Sequence, residues 1–402
     1  MWVNNIIKKL KSNQFLASFS VLASTSVIAQ FITILVSPIT TRLFTPQQFG
    51  VYTLIITAVS LFGPVICSKY DMAIVTSKTE RETYSVITLC VLLCIPLSII
   101  VSTAYGMFFL VEEFSGLNLL LCIFIITILL IAYGFNNILL AHNNRNSLYK
   151  LISSVTVIKS VVNNSSLIIS GLWQLGVVGL VLSQVSSSFA GLIRQSKDIR
   201  DNRSKFIGVD IKGIYKVAVK HRKQPVYNAS SALLTTSIYS SINLFIGKAY
   251  SATQLGLYSI SYRVLGIPFS VISANIARVY FNSASKEFHR DGTYRNTFRK
   301  TLLLLVCTVI PIIATMALIS PWVFSVVFGE EWKEAGVYAR LLAPMFAMRL
   351  ISESLTTGFI ISGKQHWELI SQLGLLGGQL TIYLLSYVKG IQIEYFLLLV
   401  SV

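Results

Sequence analysis

The chain has 402 residues, of which 54% are apolar and only 12% are charged, and its mean hydropathy is +0.69. A soluble domain usually carries about 25% charged residues, so one large soluble core is excluded. The net charge of +17 alone would suggest a nucleic-acid partner, but Lys and Arg cluster between long apolar stretches. That distribution indicates an all-α polytopic membrane protein without a nucleic-acid partner.

Apolar stretches of about 20 residues, long enough to cross the hydrocarbon core as helices, recur along the chain. We predict twelve spans, at 15–37, 49–67, 84–110, 117–139, 149–170, 176–194, 225–247, 257–279, 299–320, 337–361, 367–387 and 392–402. With a cytoplasmic N-terminus, the outer loops hold few of the basic residues, namely Arg42, Lys248, Lys333, Arg340 and Lys389. This bias follows the positive-inside rule and predicts that both termini are cytoplasmic.

The first predicted span follows three lysines, Lys8, Lys9 and Lys11, and no small-residue cleavage site comes after it. We therefore expect a retained helix rather than a removed signal peptide. The last predicted span is short and stops at Val402.

The cysteines predict neither disulfides nor a metal site. All five lie in or beside predicted spans, and no metal-ligand spacing links them to the four His. Cysteines in such positions act as small apolar side chains that fill the interior.

A short motif occurs twice, each time between two apolar stretches. Leu43–Tyr52 recurs as Ala249–Tyr258, so that Gln48, Gly50 and Tyr52 align with Gln254, Gly256 and Tyr258, and Arg42 aligns with Lys248. A membrane chain built from two similar halves is typical of transporters that move one half against the other around a central site.

The preceding spans of the two copies also share a polar stripe. Ser26, Gln30, Thr33 and Ser37 lie on one face of the first span, and Thr236, Tyr239 and Asn243 occupy the positions equivalent to the last three. Because polar groups facing lipid are costly, we expect both stripes to face inward. They would line a shared cavity, with Gln30 and Asn243 at the substrate, or else form hydrogen bonds between packed helices.

The polar segment Arg194–Lys223 divides the spans into two sets of six. We predict an N-terminal lobe at 1–194, a basic cytoplasmic linker at 195–224 and a C-terminal lobe at 225–402. An even number of spans per lobe implies parallel repeats about a pseudo-two-fold axis normal to the membrane. Residues around Val209–Val219 predict either an amphipathic helix on the anionic inner leaflet or a solvated linker.

Four ionisable residues fall deep within predicted spans, where each costs roughly 2.5–3.5 kcal/mol on insertion scales. They are Lys159 in span five, Arg263 in span eight, and Arg349 and Glu353 in span ten. One hypothesis is a cationic cavity for an anionic substrate, lined by the three cations. The alternatives are snorkelling of Lys159 and Arg263, and a structural ion pair between Arg349 and Glu353.

Other charged residues suggest coupling and rim positions. Glu353 is the default candidate for a proton or sodium site, and we expect no other cofactor. Arg42 and Lys248 would form an outer rim, and Lys69 and Asp71 an inner rim; each pair has a plainer reading as an anchor at a solvated helix end.

The order of three motifs resembles that of a known family. The motifs are Thr41–Tyr52, Lys69–Val75, and Phe328–Trp332 with Ala335 and Gly336. Together they are similar to the Wzx-type polysaccharide biosynthesis (O-antigen) flippases of the multidrug/oligosaccharidyl-lipid/polysaccharide exporter superfamily.

The resemblance implies a two-lobed protein of twelve to fourteen helices in the bacterial inner membrane. Its activity would be to move undecaprenyl-diphosphate-linked oligosaccharide, an O-antigen or capsule repeat unit, from the cytoplasmic to the periplasmic leaflet without enzymatic chemistry. Partners would include membrane lipids, a glycan polymerase and a chain-length regulator. Two alternatives stay open: a cation-coupled drug exporter of the same superfamily, which would need an acidic cavity, and a membrane glycan polymerase or ligase, which would need a large outer loop.

Overall fold

The structure is a computed structural model that describes residues 14–109, 118–201 and 210–401. The described elements are sixteen α-helices, two short 3-10 helices at Gly63–Val65 and Glu330–Trp332, and a π-helical segment at Gln224–Ala229. The α-helices are α1 Gln14–Leu43, α2 Pro46–Phe62, α3 Asp71–Thr76, α4 Glu80–Phe109, α5 Leu119–Arg145, α6 Tyr149–Leu172, α7 Gly176–Gln195, α8 Lys197–Asp201, α9 Ile211–Lys220, α10 Ser230–Ala249, α11 Ala252–Asp291, α12 Arg295–Phe328, α13 Lys333–Leu355, α14 Thr357–Ile361, α15 Gln365–Lys389 and α16 Ile393–Ser401. Lys8, Lys9 and Lys11 lie outside the described residues.

Eleven of the predicted spans each overlap one of these α-helices, and the tenth, 337–361, covers both α13 and α14. By length and apolar composition alone, nine stretches within the described residues are able to cross a membrane. The helices α10, α13 and α16 do not meet those criteria: α16 has only nine residues, and α13 carries five charged residues, Lys333, Glu334, Arg340, Arg349 and Glu353. The structure also lengthens two predicted spans at their inner ends, because α11 continues to Asp291 and α12 begins at Arg295.

The chain divides into two compact units. Unit 1 comprises Met1–Leu43 and Leu54–Thr236, and unit 2 comprises Phe44–Thr53 and Ser237–Val402. In unit 1, α6 packs against both α1 and α7, and α5 packs against α4 and α7. In unit 2, α13 packs against α11, α12 and α16.

The two copies of the sequence motif meet each other within unit 2. A Cβ atom on Gly50 would overlap the carbonyl oxygen of Ala252, and one on Gly256 would overlap that of Pro46 and lie 3.0 Å from the Gly50 nitrogen. Pro46 and Ala252 are themselves equivalent positions of the repeat. The contact is therefore reciprocal, as at a two-fold axis, and it requires glycine at both crossing points.

Candidate functional site

In unit 2 the centre of the candidate site is the guanidinium of Arg349, on the helix α13. Its Nε donates to Oε1 of Glu353 at 2.6 Å, and its Nη1 donates to the hydroxyl of Tyr262 on α11. Its Cζ lies 4.3 Å from the ring centroid of Tyr239, on α10, and 5.9 Å from that of Tyr262. Three helices thus converge on one cation through an ion pair and two cation–π contacts.

The geometry also shows which groups of this cluster are already occupied. Glu353 accepts from Arg349 through Oε1 and from the Ser273 hydroxyl through Oε2 at 2.9 Å. Within the described part of the chain, Nη2 of Arg349 has no hydrogen-bond partner, and the Arg349 side chain is 25% exposed. An anion therefore has an accessible donor on Arg349. Glu353 could bind a proton or sodium only by weakening one of its two present bonds.

Arg263 has a different environment from the one that snorkelling predicts. Its half-buried side chain lies beside the buried hydroxyl of Tyr52. Tyr258 aligns with Tyr52 in the repeat, and it packs 5.8 Å from Tyr262, which in turn binds Arg349. In the first copy the repeated tyrosine thus lies beside an arginine, and in the second copy it lies beside the tyrosine that binds an arginine.

In unit 1 a cavity of about 240 Å³ contains Lys159. The polar groups that share its wall are one phenol, two hydroxyls and four carboxamides, contributed by Tyr133, Asn136, Asn137, Thr156, Gln184, Ser188 and Gln195. Among the described residues that line it, Lys159 is the only ionisable group besides Tyr133. The cavity is smaller than the roughly 300–1,000 Å³ of pockets that hold drug-sized ligands, so it suits a headgroup-sized polar or anionic fragment.

Local packing holds Lys159 in this cavity. Its carbonyl accepts from the Ser187 hydroxyl at 2.9 Å, and its stem passes Gly191, where a Cβ would come within 2.8 Å of the Lys159 Cδ. Gln195 donates from Nε2 to Oδ1 of Asn136 at 3.2 Å, while its Oε1 is buried with no partner among the described residues. The cavity wall therefore has a fixed cation beside an unused acceptor.

The polar stripe of the first span is used largely for helix packing. The Ser160 hydroxyl donates to the Ala29 carbonyl at 2.9 Å, and Asn164 reaches the Thr33 hydroxyl at 3.4 Å. Gln30 is half-buried, and its Oε1 is buried with no partner among the residues described here. Asn243 is half-buried on α10, one helical turn from Tyr239.

The predicted rim residues have contrasting surroundings. Arg42 and Lys248 are exposed at the C-terminal ends of α1 and α10, as rim positions require. Lys69 has a positive φ of 60° in the turn before α3. Asp71, which a solvated inner rim would expose, is instead half-buried, and its Oδ1 is buried without a partner in the described ranges. Burial raises the pKa of the Asp71 carboxyl.

The sequence places Asp71 at a solvated inner rim and does not predict that its carboxyl is half-buried. Its position just outside a predicted span concealed its burial. The burial of Asp71 depends on how α3 packs against α4 and α5, and no local sequence pattern predicts that packing.

Comparisons with known proteins identify the family of this chain and a fold that it shares with solved structures. The model of a family described as polysaccharide biosynthesis protein matches residues 39–337. The teichuronic acid biosynthesis protein TuaB of Bacillus subtilis (strain 168) is 24% identical over 153 residues, which cover 37% of this chain and 30% of that protein. The chain thus aligns with less than a third of this curated relative.

Solved structures share the fold. An inward-facing multidrug resistance MATE family transporter of the MOP superfamily superposes with a TM-score of 0.70 at 14% identity, covering 92% of this chain and 90% of that one. A MATE protein in complex with MaL6 gives 0.59 at 14%, covering 96% and 92%. A MOP superfamily transporter from Pyrococcus furiosus, described as having a binding pocket of reverse polarity, gives 0.53 at 12%, covering 96% and 91%.

Proposed function

Because this chain belongs to the polysaccharide biosynthesis protein family, we propose that it is a flippase for undecaprenyl-diphosphate-linked oligosaccharide. It would move the lipid-linked glycan from the cytoplasmic to the outer leaflet of the bacterial cytoplasmic membrane by alternating access, without enzymatic chemistry. An O-antigen or capsule repeat unit is the proposed cargo, and a glycan polymerase and a chain-length regulator are its proposed partners.

The observation that carries the proposal is a cation deep in each unit. Lys159 lines a cavity rich in carboxamides in unit 1, and in unit 2 the Nη2 of Arg349 has no hydrogen-bond partner among the described residues. Moving a diphosphate through hydrocarbon without such cations would cost far more than burying one charged side chain. Carboxamides and hydroxyls supply the hydrogen bonds that a sugar or diphosphate loses when it leaves water.

Partial neutralisation supports release as well as binding. Arg349 is paired with Glu353 and lies against two tyrosine rings, so its attraction for a diphosphate is weaker than that of an unpaired guanidinium. A transporter gains rate only when the site binds its cargo without holding it too tightly. Glu353 is well placed for this balance, because protonation would release Arg349 and strengthen its hold on an anion.

The test is leaflet-resolved detection of the lipid-linked glycan in cells that depend on this protein. The double variant K159A/R349A is expected to leave the glycan facing the cytoplasm while the protein stays in the membrane at its normal level. The matched control K286A/K389A removes two exposed lysines and is expected to export normally. Normal export by K159A/R349A, at equal protein levels, would refute the mechanism.

Export of a cationic drug is the second candidate, favoured by the fold shared with a multidrug transporter. A site for such a drug needs a carboxylate facing it, whereas the unit 1 cavity presents Lys159. Uptake assays with a cationic dye in proteoliposomes separate the two candidates. Dye transport that survives K159A/R349A would favour the drug exporter.

A further inference from the structure

The helix α9, Ile211–Lys220, is attached to unit 1 by one face. Val217 is 6% exposed, and Gly213 lies so close to α4 that a Cβ there would come within 3.4 Å of the Ser85 hydroxyl oxygen. The hydroxyl of Tyr70 donates to the Ala218 carbonyl at 3.2 Å. These contacts fix the rotation of α9 about its own axis.

Polar contacts hold both ends of α9 as well. At its start, Oδ1 of Asp210 accepts from the Gly213 nitrogen at 3.1 Å and pairs with Arg81 at 3.4 Å. At its end, Oε1 of Glu82 accepts from Nζ of Lys220 at 2.6 Å and from the His221 ring at 3.0 Å. Because Arg81 and Glu82 lie in the first turn of α4, α9 lies at the end of a helix that is long and apolar enough to cross the membrane.

The opposite face of α9 is exposed and carries two parallel stripes. Ile211, Tyr215 and Val219, which are 85%, 71% and 45% exposed, follow one another at intervals of four residues and form an apolar stripe. One position further along, Lys212, Lys216 and Lys220 form a basic stripe with the same interval. Among the described residues, neither Lys212 nor Lys216 has an ion-pair partner.

This pair of stripes is unfavourable in water and favourable at the membrane interface. Three large apolar side chains exposed together gain free energy by leaving water. Lysines beside them gain by meeting phosphates, and an interfacial helix buries its apolar stripe at the level where the headgroups meet the acyl chains. The N-terminal end of α4 lies at that level if α4 spans the bilayer. The basic character of α9 is typical of the cytoplasmic side.

We propose that α9 is a docking surface for anionic phospholipid of the inner leaflet. Ile211, Tyr215 and Val219 enter the boundary of the acyl chains, and Lys212 and Lys216 bind the phosphates of the headgroups. Lys220 is already bound to Glu82 and ties the helix to unit 1. The lipid thereby holds this part of unit 1 at the membrane surface, whatever cargo the protein carries.

The experiment places a reporter on the apolar stripe. The variant Y215W is reconstituted in nanodiscs of phosphatidylcholine, with brominated acyl chains, and increasing fractions of phosphatidylglycerol. The protein without this substitution supplies the signal of the five native tryptophans, which is subtracted. The indole at position 215 is expected to emit at short wavelength and to be quenched by the bromines, increasingly so as the anionic fraction rises.

A second pair of substitutions tests the charge. Each lysine near an anionic surface contributes about 1 kcal/mol, so K212Q/K216Q in the Y215W protein is expected to weaken the affinity of α9 for phosphatidylglycerol by roughly 30-fold and to move half-maximal quenching to a much higher phosphatidylglycerol fraction. The matched control K286Q/K300Q removes the same charge from exposed positions elsewhere and is expected to leave it unchanged.

Three results would overturn the proposal. An unquenched indole with water-like emission would mean that this face meets water or a soluble partner. Quenching that does not depend on phosphatidylglycerol would remove the anionic lipid from the proposal. An equal shift in K286Q/K300Q would assign the effect to net charge. A glycan-export defect in K159A/R349A is independent of all three, so the two proposals can fail separately.

Discussion

The contact between the two copies of the repeat offers the sharpest test of the fold. Alanine at Gly256 would place its Cβ 2.7 Å from the carbonyl carbon of Pro46, where ordinary contacts begin near 3.4 Å. The Cβ would overlap the Pro46 carbonyl oxygen more deeply still, so the helices α2 and α11 would have to separate by more than about 1 Å, because the obstacle is backbone and cannot rotate away. Overpacking of this kind costs about 1–3 kcal/mol, and we expect the same for G50A.

The double variant G50A/G256A adds a second condition. Both substitutions push the same two helices apart, so the separation forced by the first relieves part of the cost of the second. The destabilisation of the double variant is therefore expected to be smaller than the sum of the two single ones. The assay is the midpoint of unfolding in detergent, together with glycan export at matched protein levels in the membrane.

The control comes from glycines elsewhere in the same unit. A Cβ at Gly374 or Gly377, both within α15, would meet nothing within 4 Å. G374A and G377A are expected to be neutral or to stabilise by up to about 1 kcal/mol, through the better helix propensity of alanine. If G50A and G256A behave like these controls, the close crossing of α2 and α11 is wrong.

Three further predictions concern the candidate site. Burial raises the pKa of the Asp71 carboxyl, so the folded state carries a penalty for its ionisation that is absent below the ordinary value of about 3.8 and complete above the raised folded value. D71N is therefore expected to unfold at a higher temperature than wild type at pH 7 and at the same temperature near pH 4; an equal difference at both pH values would contradict this. R349K keeps the charge but loses the bonds to Glu353 and Tyr262, about 1.5–3 kcal/mol each. It is expected to lower export in a vesicle assay at unchanged membrane levels, whereas export at the wild-type rate would mean that the charge alone is enough. G191A would bring a Cβ within 2.8 Å of the flexible Lys159 stem, so it is expected to lower export while changing the unfolding midpoint little. Normal export with a lowered midpoint would assign Gly191 a packing role alone.

The predicted ionic groups show where sequence reasoning stopped. The i,i+4 spacing of Arg349 and Glu353 left two interpretations open, a cavity-lining cation and a structural ion pair, and the structure shows the pair at 2.6 Å. The spacing did not predict that Tyr239 and Tyr262 would flank the guanidinium. Those rings come from two other helices, and their approach depends on how α10 and α11 pack against α13 rather than on any local pattern.

Asp71 and Arg263 illustrate the same limit from the opposite side. A carboxylate next to Lys69, just outside a span, is usually solvated, yet the packing around α3 buries it. An arginine near a span end usually snorkels to water, yet Arg263 is half-buried beside the Tyr52 hydroxyl in unit 2. In both cases a local pattern with a common outcome was overridden by a tertiary contact.

The sequence by itself determined the helical membrane class, the order of the apolar helical segments and the repeat that aligns Gly50 with Gly256. The length of an apolar stretch and the recurrence of a motif are both visible in the order of residues along the chain. Neither depends on what the helices pack against. The tertiary structure alone decided that these two glycines touch, that Lys159 shares a cavity with carboxamides, and that Glu353 is already occupied by Arg349 and Ser273. These are contacts between residues far apart in sequence, and close packing of side chains from several helices selects them.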